Sequence, residues 1–450
     1  MSNHIVFAPR ANVPLPKGIR ILDLRRWLAA LEHRVAVTGA NYGIIVMSST
    51  SEPPRDIFDA GGRGLQHHGL RRANERAVLT LVGFNPGVSN ADIARLSGLA
   101  PQTVSAILSD IERSGLIQRG EVLRGRRGQP ATPIFLRGEG AFSIGCEIGW
   151  RHLDVLLVNL VGDVLGHFHL DYDFPDASTI FDVIADAVRD LVEQLTLEQH
   201  ARIGDFGVAM PTNLWSNLDL VDAPVEQVRL WRKADVVGEL NERTGFDVTL
   251  INDGNAACWA ELIAFPRPRP GNFIYYMLSR YIAAGIVGEG TLWEGPTGNS
   301  ANLGSMLVGD ADGGPQVAHL VASVTALERQ LLAAGFKVGN GLVADWEWDS
   351  FGPVLDAWIE SSAKALAKVV FNTTAVIESG LVVVDGIVPR PVLQRLVAQL
   401  SHELAALPIA SYTPPQVLAG HLGPLAPAIG AAELPLFRRF FSRTLADLAG

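Results

Sequence analysis

Residues 88–133 read VSNADIARLSGLAPQTVSAILSDIERSGLIQRGEVLRGRRGQPATP, two short helical patterns parted by a glycine and followed by an arginine-glycine segment. In the second pattern Val104, Ile107, Leu108 and Ile111 recur at i, i+3, i+4 and i+7, the period of a helix that buries one stripe. The opposite face carries Gln102, Thr103, Ser105, Ala106 and Ser109, short enough for the helix to enter a DNA major groove and polar enough to meet base edges. Pro101 suits the first helical position, where its missing N–H would be unpaired in any case. Upstream, Asn90 to Ser97 reads as a first helix with Ile93 and Leu96 inward, capped by Ser89 or Asn90, and Gly98 as the turn that angles it against the second. Leu116 and Ile117 with Glu121 to Leu123 read as a small β-ribbon whose tip or exit is Arg124, Arg126, Arg127, Gly128, Gln129 and Pro130. Arginines among glycines suit a narrow, negative minor groove, because glycine allows backbone approach and guanidinium supplies charge. The pattern predicts a winged helix-turn-helix; the competing reading is an ordinary helical hairpin, against which the arginine tip weighs.

Charge agrees with that reading. Residues 61–140 hold eleven arginines, no lysine and six acids, an excess of five positive charges in a chain of net charge −10. The remainder therefore carries −15 and repels DNA, so only this head can hold a duplex. At 450 residues, 48% hydrophobic and 19% charged, the chain is globular and too long for one core. It has no run of about eighteen apolar residues to span a bilayer, and its first residues do not form a secretory signal. Two cysteines, Cys146 and Cys258, supply no disulfide framework, so a reducing cytoplasm is the expected compartment and no membrane partner is expected. Residues 1–68 read as a poorly ordered extension; Met47, which opens a polar stretch, is a candidate true start that N-terminal sequencing of the native protein would settle.

Beyond the head, Phe142–Gly149, Leu153–Leu160 and Val164–Leu170 read as strands, Thr179–Leu195 as a helix and Phe206–Ala209 as another strand. Phe246–Ile251 is a strand that runs straight into Asn252-Asp-Gly-Asn-Ala-Ala257, which has helix character. Asn252 and Asp253 thus fall at the carboxyl end of a strand, where open α/β sheets bind ligands.

Asn252-Asp-Gly-Asn-Ala-Ala257, the Gly128-Gln-Pro-Ala131 after the arginines and Gly298-Asn-Ser-Ala-Asn-Leu-Gly-Ser305 together resemble the ROK family of repressors and sugar kinases, over roughly residues 69–435. Leu381–Gly386 and Gly430–Ala432 add weaker marks. The resemblance is to the transcription-factor branch, and it implies an α/β fold: an N-terminal winged helix-turn-helix followed by a two-lobed actin/hexokinase-like body. The implied domains are a DNA-binding head over 69–138, a first lobe over 139–255 and a second over 256–450 whose C-terminal helices return to the first.

The departures from the kinases of that family carry the functional reading. Where those kinases hold phosphate with D-x-G-G-T, this chain has Glu147-Ile-Gly-Trp-Arg-His152; where they have G-T-G-x-G-x-G, it has Ser279-Arg-Tyr-Ile-Ala-Ala-Gly285. Bulky Trp150 and Arg151, and the loss of all but the last glycine, remove the turns that cradle triphosphate. The family's zinc ligands are missing too: its histidine is Ser305, and Gly309–Val317 contains no cysteine, so no metal and no cofactor is expected. The family's sugar-contacting residues map to Asn252, Asp253, Asn302, Ser305 and His319, and its lobe-lining loop to Thr212 and Asn213. Asp253 can accept a hydrogen bond from a sugar hydroxyl or simply charge a helix N-terminus; His319 can be a ligand contact or a packed helix residue. Trp346 and Trp348, in an acidic segment, are read as surface residues, Trp231 as part of a lobe-packing loop, and Asp356 and Glu360 as one solvated helix face.

The implied protein is a sequence-specific regulator, with no catalytic residue, that represses carbohydrate uptake or catabolism genes in response to a sugar held between the lobes. A homodimer or dimer of dimers on an inverted-repeat operator follows from paired heads. The alternatives are a sugar kinase with an added DNA head and an architectural DNA binder without a small-molecule response.

Overall fold

The computed structural model describes residues 67–122, 132–311, 314–339, 342–408 and 411–442. The extension before residue 67, the candidate start at Met47 and the arginine tip (Arg124, Arg126, Arg127, Gly128, Gln129 and Pro130) lie outside the described residues.

The head consists of α1 (His67–Phe84), α2 (Asn90–Ser97), α3 (Pro101–Arg113), β1 (Ile117–Arg119) and β2 (Ile134–Leu136). Ser89 caps α2 by accepting from the Asp92 N–H, and Gly98 ends it in the left-handed conformation at φ 68°. Pro101 opens α3, whose Val104, Ile107, Leu108 and Ile111 are buried, each contributing roughly 1.5–3 kcal/mol by leaving water. Two details differ from the sequence reading. Leu96 stands at the surface, because Ile93 alone of that pair reaches the small core of the head. The ribbon pairs β1 with β2, Gln118 opposite Phe135, because Ile134 and Leu136 of β2 reach the core of the head; Glu121 and Val122 form no strand, and Leu123 lies outside the described residues. Helix α1 begins at His67, two residues before the boundary read from sequence.

The body holds two five-stranded sheets of one topology. In the first, β3 (Phe142–Ile148), β4 (His152–Asn159) and β5 (Val164–Asp171) form antiparallel hairpins. Beyond helix α4 (Ile180–Val192), β6 (Ile203–Met210) and β7 (Val248–Asn252) join parallel to β3, giving the order β5-β4-β3-β6-β7. Helix α5 (Asp253–Ala264) leads to the second sheet. There β8 (Phe273–Leu278), β9 (Ile282–Gly288) and β10 (Thr291–Leu292) are antiparallel. Past helix α6 (Gly352–Val376), β11 (Leu381–Gly386) joins parallel; past α7 (Arg390–Ala405), β12 (Gln416–Ala419) does the same. All seven residues of β3 are buried because both faces of that strand are covered, one by α4 and the other by the last helix, α8 (Ala426–Phe440).

Helix α8 lies against the first sheet with almost no intervening side chain. A Cβ on Gly145 would stand 2.2 Å from the Ala428 carbonyl oxygen, and one on Gly207 only 1.8 Å from that of Ala431. No residue but glycine fits either place. Elsewhere the tryptophans correct the sequence reading. Trp346 is buried, Trp348 is partly buried and stacks on it at 5.7 Å, and both close the second-lobe core against Phe351 while Asp345, Glu347 and Asp349 point the other way. Trp231 sits on a helix, Val225–Lys233, not in a loop: its ring packs on Phe181 and its Nε1 donates to the Pro175 carbonyl. Asp356 and Glu360 are exposed and pair with Arg395 and Lys364.

Candidate functional sites

On the head, Pro101, Gln102, Thr103, Ser105, Ala106 and Ser109 are all exposed on one face of α3. The Ser105 hydroxyl accepts from Asn90 Nδ2 at 2.8 Å, and Ser109 bonds back to the Ser105 carbonyl. These two serines are thus partly engaged within the protein, and the first turn of α3, with Gln102 and Thr103, is the freer end of the face. An N-terminal helical turn that presents polar side chains is the part of a recognition helix that meets base edges.

In the body one cleft of about 440 Å³ opens between the sheets, within the size range of small-molecule sites. Its walls include Thr212, Asn213, Asn252, Asp253, Asn302, Ser305 and His319, so the residues singled out from sequence meet around one space. Asn252, at the end of β7, caps α5 by accepting from the Asn255 N–H at 3.1 Å, while its Nδ2 donates to Thr212 Oγ1. Asp253 accepts from the Gly254 N–H; burial, reinforced by the nearby Glu147 charge, pushes its carboxyl up to about 7. Asn302 accepts from the Ser305 hydroxyl at 2.9 Å, and both are exposed to the cleft. Asn213 and Ala301 adopt positive φ, 66° and 67°, a conformation that side chains disfavour and that gathers at ligand-holding loops.

His319 is held more than it is offered. Its ring packs on the backbone of Gly304, its Nδ1 accepts from the Ile282 N–H at 3.1 Å, and burial lowers its pKa to about 4. It therefore carries its proton on Nε2 and stays neutral.

The two turns whose sequences depart from the family kinases' phosphate motifs meet each other. Trp150, from the turn after β3, stands edge-on to Tyr281, from the β8–β9 turn, with ring centroids 4.7 Å apart, and both line the cleft. Neither turn contains a positive φ. In the second, the Ser279 N–H is already used by the Tyr281 carbonyl, and Arg280 is buried in an ion pair with Glu328 at 2.7 Å. An aromatic pair thus stands where the two turns meet, and the Ser279 N–H is taken up by the protein's own backbone. Sequence reading noted Trp150 only as bulk; its contact with Tyr281 joins turns 131 residues apart and has no local signal. Asn255 was also passed over: it is buried and its Nδ2 ties α5 to the Gly298 carbonyl of the loop that carries Asn302.

Residues 143–436 match the ROK family and residues 68–128 the MarR family. The chain belongs to the ROK family. It is a ROK chain with a MarR-like winged-helix head in front of a sugar-kinase-like body. It is 25% identical over 379 residues to an uncharacterized protein of Sinorhizobium fredii, covering 83% of this chain and 93% of that one. It is 25% identical over 244 residues to the xylose repressor of Bacillus spizizenii, covering 53% of this chain and 61% of the repressor. Its fold is that of a crystallised ROK family transcriptional regulator described as a homologue of Escherichia coli Mlc, with TM-score 0.62 and 18% identity over 84% of this chain and 99% of the other. No helix among the described residues is long and apolar enough to cross a membrane.

Proposed function

We propose that this ROK protein is a sequence-specific DNA-binding regulator whose operator affinity is set by a sugar or sugar derivative in the cleft, and that it transfers no phosphate. The observation that carries the reading is a mechanical connection. Helix α5, which begins with Asp253 in the cleft wall, packs on α8 through Trp259 and Phe437 at 4.6 Å, and Phe437 in turn meets Phe84 of α1 in the head at 6.3 Å. The Ser442 N–H just past α8 also donates to Thr80 of α1. A ligand that binds a closed cleft better than an open one would displace α5, and α8 would pass the displacement to the head.

The cleft suits a polyol: its walls are rich in Asn, Ser and Thr groups that both donate and accept, beside the Trp150 and Tyr281 rings. By analogy with repressors among its relatives, the controlled genes are those of carbohydrate uptake or catabolism, and the protein acts in the cytoplasm as a dimer or dimer of dimers on an inverted repeat. The wing arginines Arg124, Arg126 and Arg127 are assigned to the minor groove and its phosphates on their sequence alone.

One observation favours the kinase alternative: a carboxylate at Asp253 that titrates near 7 is suited to a general base. Thermal melting against a panel of sugars, with and without ATP, separates the readings. A sugar at one hundred times its Kd adds about 2.7 kcal/mol of stability and raises Tm. ATP alone is expected to leave Tm unchanged and no γ-phosphate is expected to be released; sugar-dependent ATP turnover would overturn the proposal.

A further inference from the structure

The free edge of the first sheet carries a cluster outside the walls of the cleft and outside the head, sharing with the cleft only the Glu147 charge felt by Asp253. Strand β5 is the edge strand, and the pleat puts His167 and His169, two residues apart, on one face. Register places His169 opposite Asp154 on β4, and Asp154 opposite Glu147 on β3, so one row of side chains crosses three strands. His167 Nε2 and His169 Nδ1 both point at Asp154 Oδ1, at 2.6 and 2.8 Å. On the other side His152 Nε2 lies 3.7 Å from Asp154 Oδ2 and 3.3 Å from Glu147 Oε1.

Two features of this cluster ask for a cation. The Asp154 and Glu147 side chains are 3% and 6% exposed, and among the described ion pairs neither has a lysine or arginine, only these imidazoles. Glu147 Oε2, inside the cluster, has no hydrogen-bond partner at all. A buried carboxylate oxygen without a donor is costly, and a proton or a nearby cation relieves it.

We propose that Asp154, His167 and His169 bind one divalent transition-metal ion, backed by His152 and Glu147. The donor set decides the class. Two imidazole nitrogens and one carboxylate oxygen suit zinc or a similar ion, whereas calcium and magnesium require a shell of oxygens. In a tetrahedral site with bonds of about 2.0–2.1 Å the donor atoms stand roughly 3.3 Å apart, so these histidines need to draw back from Asp154 by only about 0.5–0.7 Å from 2.8 and 2.6 Å. Binding through Nδ1 leaves the His169 Nε2 facing Asp171 Oδ1 at 3.4 Å, the carboxylate-on-histidine support that metal-binding imidazoles usually have. The His167 and His169 side chains are 36% and 28% exposed, which gives the ion a path and leaves remaining positions to water. The expectation of no metal rested on the family's missing histidine and cysteines elsewhere; this donor set is assembled from two strands, β4 and β5, and its third member, Asp154, is thirteen residues from the nearer histidine.

The test uses the full chain, untagged and stripped with EDTA. Titration with Zn²⁺ by calorimetry is expected to give one equivalent, and Co²⁺ to give a visible absorption band of a four- or five-coordinate N/O site. His167→Ala and His169→Ala, both at partly exposed positions, are each expected to weaken binding at least tenfold, and the double variant to abolish it, while His200→Ala on an exposed helix leaves it intact. Asp154→Asn, which keeps the shape of the buried side chain, is a further check for variants that melt like the wild type. Absence of stoichiometric binding in the wild-type chain, or undiminished binding in the double variant, would overturn the proposal.

Discussion

Gln102 projects from the first turn of α3 into solvent, one residue past the proline that starts the helix. A glutamine there can hold an adenine through two hydrogen bonds, so Gln102→Ala should lose roughly 1–3 kcal/mol on operator DNA and almost nothing on random DNA. Competition binding at one fixed salt concentration measures both, and equal loss on the two would remove Gln102 from base reading. His319 makes a different kind of prediction. The unfolded chain protonates this ring near pH 6.5, the folded protein only near pH 4, because burial disfavours the charged form. Its contribution to stability is therefore complete above pH 6.5, declines as pH falls towards 4 and is level below that. His319→Asn keeps an acceptor near the Ile282 N–H and should flatten that part of the pH dependence; the difference in urea midpoint between the two proteins, compared at pH 7.5 and 5, reads it out. At this scale Asn252 and Asp253 were legible because their chemistry is local, a cap and a carboxylate side by side at a strand end, whereas Asn255 was not, because its partner Gly298 is 43 residues away. Trp346 was not. Acidic neighbours made it look solvated, while alternation turned the acids outward and the rings into the core.

Among the elements, α8 has the most to explain. Its Ala and Gly residues let it lie on the backbone of three other elements at once, β3, β6 and α5, and its Phe437 reaches the head. A Cβ on Gly430 would stand 1.8 Å from the Ala256 carbonyl oxygen in α5. Gly430→Ala must push the two helices apart, at a cost of about 1–3 kcal/mol or more, visible as a lowered Tm. Phe437→Ala is the gentler probe. Phe437 is only partly buried, so the loss of stability should be smaller than the roughly 3–5 kcal/mol of a fully buried phenylalanine. Its contacts with Trp259 and Phe84 disappear together, so operator binding should persist while its response to the cleft ligand falls. An unchanged response would place the connection elsewhere. The strands β3 to β7 and helices α2, α3 and α5 were legible from apolar runs, periodicity, turns and caps that lie within each segment. The second strand of the wing ribbon was not, because the register between β1 and β2 is set by Ile134, buried in the head, and Leu136, packed against the same core, not by the residues that follow β1 in sequence.

For the whole molecule, head and body answer to one equilibrium or to none. The head carries an excess of five positive charges and the rest of the chain fifteen negative, so DNA affinity falls with salt while the uncharged polyol in the cleft is nearly indifferent to it. Comparison at one ionic strength then isolates the coupling. If the sugar lowers operator affinity by some factor, saturating operator must lower sugar affinity by the same factor, because both measure one free-energy difference between two states of the chain. That factor is expected in the range of roughly 5 to 150, typical of allosteric coupling. Sugar titrations with and without operator give it from one side, operator titrations with and without sugar from the other. A factor of one on both sides would mean that cleft and head share a chain but no mechanism. In Phe437→Ala both factors should shrink by the same amount, since a single contact carries the effect in either direction; a variant that changed one factor alone would mean that the sugar also acts at a second site.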